Sequence, residues 1–201
     1  MNFVLTILAA YLLGSVSFAL VIGKVFFKKD IRQFGSGNLG GGNAGRVLGK
    51  KAGLTVMTCD ILKVTLAIYI ASLLGEGELI LIAAGLAAAI GHCFPVFANF
   101  KGGKAVATMY GFLFGMAIIG GYGLKVFLFP LIVFLVVLYL WKIIALASIV
   151  SAAAVTIFVF VISHSVPMLA ALTVFTVLMV IRHKANIIRM INHEENKISW
   201  M

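Results

Sequence analysis

Three polar stretches interrupt an otherwise apolar chain of 201 residues, and they hold most of its side chains able to do chemistry. The first runs from Gly35 to Arg46 and reads GSGNLGGGNAGR. Half of it is glycine, which lets backbone N–H groups, Gly37 and Gly40 among them, turn toward one anion. Arg46 adds a planar fork suited to phosphate or carboxylate. Ser36, Asn38 and Asn43 are neutral donors. The second stretch, Gly91–Lys104, ends in Lys101-Gly102-Gly103-Lys104. Backbone donors at a helix start beside two lysines make an anion site, although loop lysines also serve as membrane anchors. His92 lies in the same stretch, near the end of an apolar run, where a polar group is costly and tends to have a function. In the third stretch His183, Asn186 and Arg189 recur at helical spacing and share one side, with Glu195 six residues further on. Asp60 and Lys63 lie within another apolar run at i, i+3, so they pair on one helix face. They read as a packing salt bridge toward the bundle interior, the alternative being that one of them also orients the glycine loop just before them.

Other chemistries are absent. A G-x-G-x-x-G string covers 35–40, but no strand precedes it, so the dinucleotide reading fails. The chain has no P-loop, no Gly-x-Ser-x-Gly elbow and no His followed five positions later by Asp. Cys59 and Cys93 fall in apolar runs and read as packing thiols, and no metal site is expected. Backbone donors, cations, amides and histidines remain, a set able to bind two phosphates and support an oxyanion.

The elements that hold these residues are membrane helices. The chain is 63% apolar and 11% charged, with mean hydropathy +1.16. Its net charge of +10 therefore points to anionic lipid or an anionic substrate rather than to nucleic acid. Spanning helices of about 20 residues fit 3–23, 55–74, 79–98, 105–123, 125–141, 143–163 and 166–182, the glycine-rich fourth being the weakest. The expected class is an all-α polytopic membrane protein with about seven transmembrane helices. Alternate connections then carry fourteen cations on one side and one on the other. The positive-inside rule places the N-terminus outside and the C-terminus in the cytoplasm. Residues 1–201 form one integral membrane domain, with polar cytoplasmic motifs at 35–53, 91–108 and 182–197. Taken alone, this is a small membrane protein with a cytoplasmic anion site. A transporter for an anionic phosphate ester uses similar broken, glycine-rich helices, but it needs polar access from both faces.

The three motifs, in this order, resemble the bacterial acyl-phosphate-dependent glycerol-3-phosphate acyltransferases, the PlsY family. The family patterns are roughly Gly-Ser-Gly-Asn-x-Gly-x-Thr-Asn, Gly-His-x-x-Pro-Val-Phe-x-x-Phe-Lys-Gly-Gly-Lys and His-Arg-x-Asn-Ile-x-Arg. Here they read GSGNLGGGN, GHCFPVFANFKGGK and HKANIIR. Gly42 replaces the usual Thr and Lys184 replaces Arg. Ala105 and His193 stand where glycine is common.

The resemblance implies a reaction: acyl phosphate and glycerol 3-phosphate give 1-acyl-glycerol 3-phosphate and phosphate, beginning phosphatidic acid synthesis at the bacterial inner membrane. On that reading Ser36, Asn38, Asn43 and Arg46 grip one phosphate, while Lys101, the Gly102–Gly103 backbone and Lys104 grip the other. His183, Asn186 and Arg189 close the pocket. His92, His183 or a substrate phosphate takes the hydroxyl proton. The implied partners are acyl phosphate, glycerol 3-phosphate and membrane lipid. No cofactor, nucleic acid or obligatory protein partner is implied. Arg46→Lys should lose much of the activity, because Lys lacks the planar fork; unchanged kinetics would remove Arg46 from the phosphate clamp.

Overall fold

Apolar runs in a bilayer must satisfy every backbone group internally, so they form helices. The computed structural model describes residues 3–74, 77–163 and 165–198, with no strand among them. Ten α-helices follow in order: α1 Phe3–Ser15, α2 Phe18–Phe27, α3 Gly41–Leu48, α4 Lys50–Leu74, α5 Glu78–Cys93, α6 Val106–Ile118, α7 Lys125–Trp141, α8 Ile144–Ile162, α9 Val166–Arg182 and α10 Lys184–Ile191. Glu76 and His164, in two of the connections between apolar stretches, lie outside the described residues.

All seven expected apolar stretches are helical, but their lengths differ from the expectation. Phe3–Phe27, Lys50–Leu74, Glu78–Ala98 and Ile144–Ile162 are long and apolar enough to cross a bilayer. α9 and α10 make a fifth candidate, bent by 61°. The first expected span breaks at Val16–Ser17, where the Ser17 side chain accepts from the Leu20 N–H and restarts the chain as α2. The fourth, expected over 105–123, stops at Ile118. Gly121 and Gly123 take φ of 78° and 74°, a left-handed backbone that cannot continue a helix. Thirteen residues rise about 20 Å, short of a hydrocarbon core of about 30 Å.

Two apolar clusters position the polar motifs. The main core joins α1, α4, α5, α6, α8 and α9 around Val64, Ile68, Phe112, Met116, Leu172 and Phe175. A smaller cluster of Ala19, Ile22, Ile31, Leu39, Ala44, Val56 and Ala98 joins α2, α3 and the start of α4 to the turn after α5. It seats the glycine loop against the second motif. At the other end of α5, about 24 Å away along its axis, the Glu78 carboxylate accepts from the Tyr122 and Ser165 hydroxyls. That carboxylate is internally bonded.

Candidate functional site

The glycine loop is held from both ends. Asp30 caps the 3-10 turn Ile31–Gln33 by accepting from the Arg32 N–H and pairs with the Arg32 guanidinium at 2.6 Å. The hydrogen bond from Arg32 holds the Asp30 carboxyl well below the ordinary carboxylate range. Asn43 is buried in α3 and its amide is fully used. It accepts from the Ser36 N–H at 2.9 Å and donates to the Ile31 and Phe34 carbonyls at 3.2 Å. Expected to grip phosphate, Asn43 instead shapes the loop, because these three bonds use both amide hydrogens and the oxygen. Gly40 starts α3 without a side-chain cap.

The second motif turns sharply after α5. The Gly102 N–H donates to the Cys93 carbonyl at 3.2 Å and the Gly103 N–H to the His92 carbonyl at 3.0 Å. These are orphan carbonyls of the α5 C-terminus. The expectation that both glycine N–H groups face a phosphate therefore fails. What they share with that expectation is the need for glycine: a Cβ on Gly102 would fall 2.0 Å from the His92 carbonyl oxygen, and one on Gly103 would fall 1.9 Å from His92 Nε2. The loop carbonyls point the other way. Gly102 O accepts from Asn38 Nδ2 at 3.2 Å and Arg182 Nη2 at 2.9 Å, and Gly103 O accepts from Arg182 Nε at 3.0 Å. Arg182 also lies 5.3 Å from the Phe94 ring.

The third motif closes over the second. Lys104 Nζ donates to Asn186 Oδ1. Asn186 Nδ2 donates to Glu195 Oε1 at 2.6 Å, and Arg189 Nε donates to Glu195 Oε2 at 2.7 Å. Glu195 reaches these partners through a Schellman turn after α10. The Glu194 N–H donates to the Arg189 carbonyl and the His193 N–H to the Met190 carbonyl. The Ile198 N–H then pins the tail to the Lys142 carbonyl.

That turn explains one departure from the family pattern. His193 has φ 59°, the left-handed conformation where glycine is usual. His193→Gly should stabilise the fold by about 1 kcal/mol, read as a higher thermal midpoint in detergent; a lower midpoint would contradict the assigned turn. Ala105 has φ 64° at the start of α6, but its methyl is fully buried. There the lost packing offsets the relieved strain.

Ser36, Gly37, Asn38, Lys101, Gly102, Lys104, Arg182, Ala185, Asn186 and Arg189 line one cavity of about 260 Å³. All three motifs thus meet, from residues up to 153 positions apart. Partial burial is the largest influence on Lys104 and lowers its pKa from the ordinary lysine value. Glu195 pulls it up, while Arg189, Arg46 and Arg182 push it down. Arg46 does not line the cavity; it is exposed on α3, and only its charge reaches Lys104. Arg182 lines the cavity, though in the sequence it is one of fourteen cations on the cytoplasmic side. It directly precedes the third motif, and that adjacency was the available signal.

Neither histidine lines the cavity. His183 is buried at the α9–α10 bend, its Nδ1 2.9 Å from the Met179 carbonyl. A carbonyl only accepts, so Nδ1 carries the proton and the neutral ring keeps its lone pair on Nε2. His92 is buried behind Gly103, with Nδ1 3.1 Å from Lys63 Nζ. Lys63 and Asp60 form an ion pair at 2.7 Å, each side chain 1% exposed.

Among the described residues no cluster of three metal-ligating side chains occurs. Along α4, a groove of about 720 Å³ is lined by Leu13, Phe18, Leu62, Leu66, Tyr69 and Ile118, with Lys63 and Cys59 also on its wall.

A family model described as glycerol-3-phosphate acyltransferase matches residues 4–193. A glycerol-3-phosphate acyltransferase of Enterococcus faecalis is 44% identical, covering 100% of this chain and 94% of its own. That of Bacillus subtilis is 42% identical, covering 98% of each. A crystal structure of PlsY (YgiH), an integral membrane glycerol 3-phosphate acyltransferase in its glycerol 3-phosphate form, superposes with a TM-score of 0.90. It is 36% identical and covers 98% of this chain and 96% of its own. The lysophosphatidic acid form gives 0.87 at the same identity, over 98% and 95%. Family model, relatives and fold agree with the motifs: this chain belongs to the glycerol-3-phosphate acyltransferase family.

Proposed function

We propose that the protein transfers a fatty acyl group from acyl phosphate to the sn-1 hydroxyl of glycerol 3-phosphate. The products are 1-acyl-glycerol 3-phosphate, a lysophosphatidic acid, and phosphate. The observation that carries this reading is the meeting of all three motifs around one cation-rich cavity. Lys101, Lys104, Arg182 and Arg189 bring positive charge to it, as two phosphate-bearing substrates require. The glycerol oxygen attacks the acyl carbon, a C–O bond forms, and the bond from that carbon to the phosphate oxygen breaks. An acyl phosphate already carries a good leaving group, so the protein's contribution is positioning and charge stabilisation. Lys104, held by Asn186, supports the leaving phosphate. Ser36 and Asn38 orient the glycerol phosphate, with Arg46 adding its field from α3.

The proton goes to a substrate phosphate, because neither His183 nor His92 lines the cavity. His92 is disfavoured as base, because its Nδ1 already accepts from Lys63 and the ring lies behind Gly103. The lipid-facing groove along α4 takes the acyl chain. Lys63 and His92 span the distance from that groove to Gly103. The charge asymmetry supports seven crossings in one domain, with α6 and α7 as short ones and with the C-terminus and the cavity on the cytoplasmic side; the family resemblance makes the membrane the bacterial inner membrane. Glycerol 3-phosphate is soluble and cytoplasmic access suits it.

Phosphate release by purified protein from palmitoyl phosphate tests the reaction. Release is expected only with glycerol 3-phosphate, with lysophosphatidic acid formed and acyl-coenzyme A inert as donor. Folded protein that releases nothing from either donor would overturn the reading and turn attention to phosphate-ester counterflow in vesicles.

A further inference from the structure

The reaction proposed above leaves unused the most deeply buried charges among the described residues. Lys63 Nζ lies 2.7 Å from Asp60 Oδ1, donates to the Val16 carbonyl at 2.9 Å and lies 3.1 Å from His92 Nδ1. An ammonium has hydrogens only to give, so Nδ1 is the acceptor there. The 3.5 Å approach of Asp60 Oδ1 to the same nitrogen is then a contact and not a bond. With Nδ1 accepting, the ring is fixed in position and its Nε2 edge stands against Gly103. The Gly103 N–H is bound to the carbonyl of the same histidine. Gly103 adjoins Gly102 and Lys104, both of which line the cavity.

We propose that Asp60, Lys63 and His92 form a positioning device that sets the 101–104 loop, and so the placement of Lys104, from inside the membrane. Asp60 neutralises Lys63 within one turn of α4. Lys63 ties three elements together: its own helix, the broken end of α1 at Val16, and the His92 ring on α5. His92 is the backstop against which Gly103 rests. None of the three lines the phosphate cavity; Lys63 meets only the wall of the acyl groove. This role rests on the cavity being the substrate site.

The test is a double-variant cycle on the full-length enzyme in detergent. Gly103→Ala places a methyl on the imidazole, so kcat/KM should fall about a hundredfold. His92→Ala leaves the loop without its backstop and should fall about tenfold, chiefly through a raised KM for glycerol 3-phosphate. Combined, the added methyl meets the space the imidazole vacated, so the double variant should recover at least tenfold over Gly103→Ala alone. Losses that simply multiply would overturn the proposal. A second variant guards against misfolding. Asp60→Asn with Lys63→Met removes both charges together, so no unpaired ion is left in the membrane. It should reproduce the raised KM of His92→Ala in protein whose thermal midpoint shows it to be folded. An unchanged KM there would also overturn the proposal. Wild-type turnover tests the acyltransferase reading independently, so a failed cycle in an active enzyme counts against the positioning device alone.

Discussion

Lys104→Met should lower kcat/KM roughly a hundred- to a thousandfold, the loss seen when one preorganised donor to a developing charge is removed. The expectation follows from geometry. Lys104 lines the cavity, is partly buried and is aimed by Asn186, which Glu195 in turn holds. A methionine of similar length keeps the packing and loses only the charge, so the thermal midpoint should change little. The pH profile adds an independent check. Because burial lowers the Lys104 pKa, its charge is present at low pH and lost as pH rises through a value below the ordinary lysine range. Activity should therefore fall on the alkaline side earlier than an exposed lysine would dictate. Lys104→Arg, which keeps its charge at every accessible pH, should move that alkaline limb upward even if kcat is reduced. A limb that stays in place would show that another group titrates there.

Arg182→Lys should also have a large effect, about ten- to a hundredfold in kcat/KM together with a lowered thermal midpoint. The guanidinium gives one N–H to each of two consecutive carbonyls, Gly102 and Gly103. A lysine places a single nitrogen there and loses one of the two bonds, at a net cost of about 0.5–1.5 kcal/mol, since Gly102 O keeps Asn38 Nδ2. Both the loop and the cavity wall depend on that fork. Full activity in Arg182→Lys would show that the loop keeps its shape without it.

Neither the Arg182 fork nor the Asn43 brace was legible as such in the sequence. Residue types and spacing identified the three motifs, the all-helical character and the Asp60–Lys63 pair. They did not reveal which polar atoms are already used. Asn43 looked like a phosphate donor because its amide is free in a linear reading; folding commits all of it to residues 31–36. The Gly102 and Gly103 N–H groups looked like half of an anion nest, yet they cap α5, because the chain reverses within nine residues of Cys93. Arg46 lies one side of α3 away from the cavity, since an eight-residue helix rotates each side chain to a direction that the glycine-rich composition does not fix. The short amphipathic helix α3 was hidden by its shortness and polarity, whereas the helical spacing of His183, Asn186 and Arg189 anticipated α10; both helices pack beside the site. The broken first span was hidden for the opposite reason: its apolar run continues smoothly through Val16 while Ser17 restarts the helix.

The pairing of Asp60 with Lys63 also bears on how the protein is made. α4 emerges from the ribosome ahead of α5, so it meets the bilayer before His92 does. Each charge alone would oppose insertion by about 2.5–3.5 kcal/mol at the centre of a helix. Placed one turn apart on the same helix, the two arrive already compensated. α4 can therefore partition into the bilayer on its own, and the histidine joins a pair that biogenesis has already delivered.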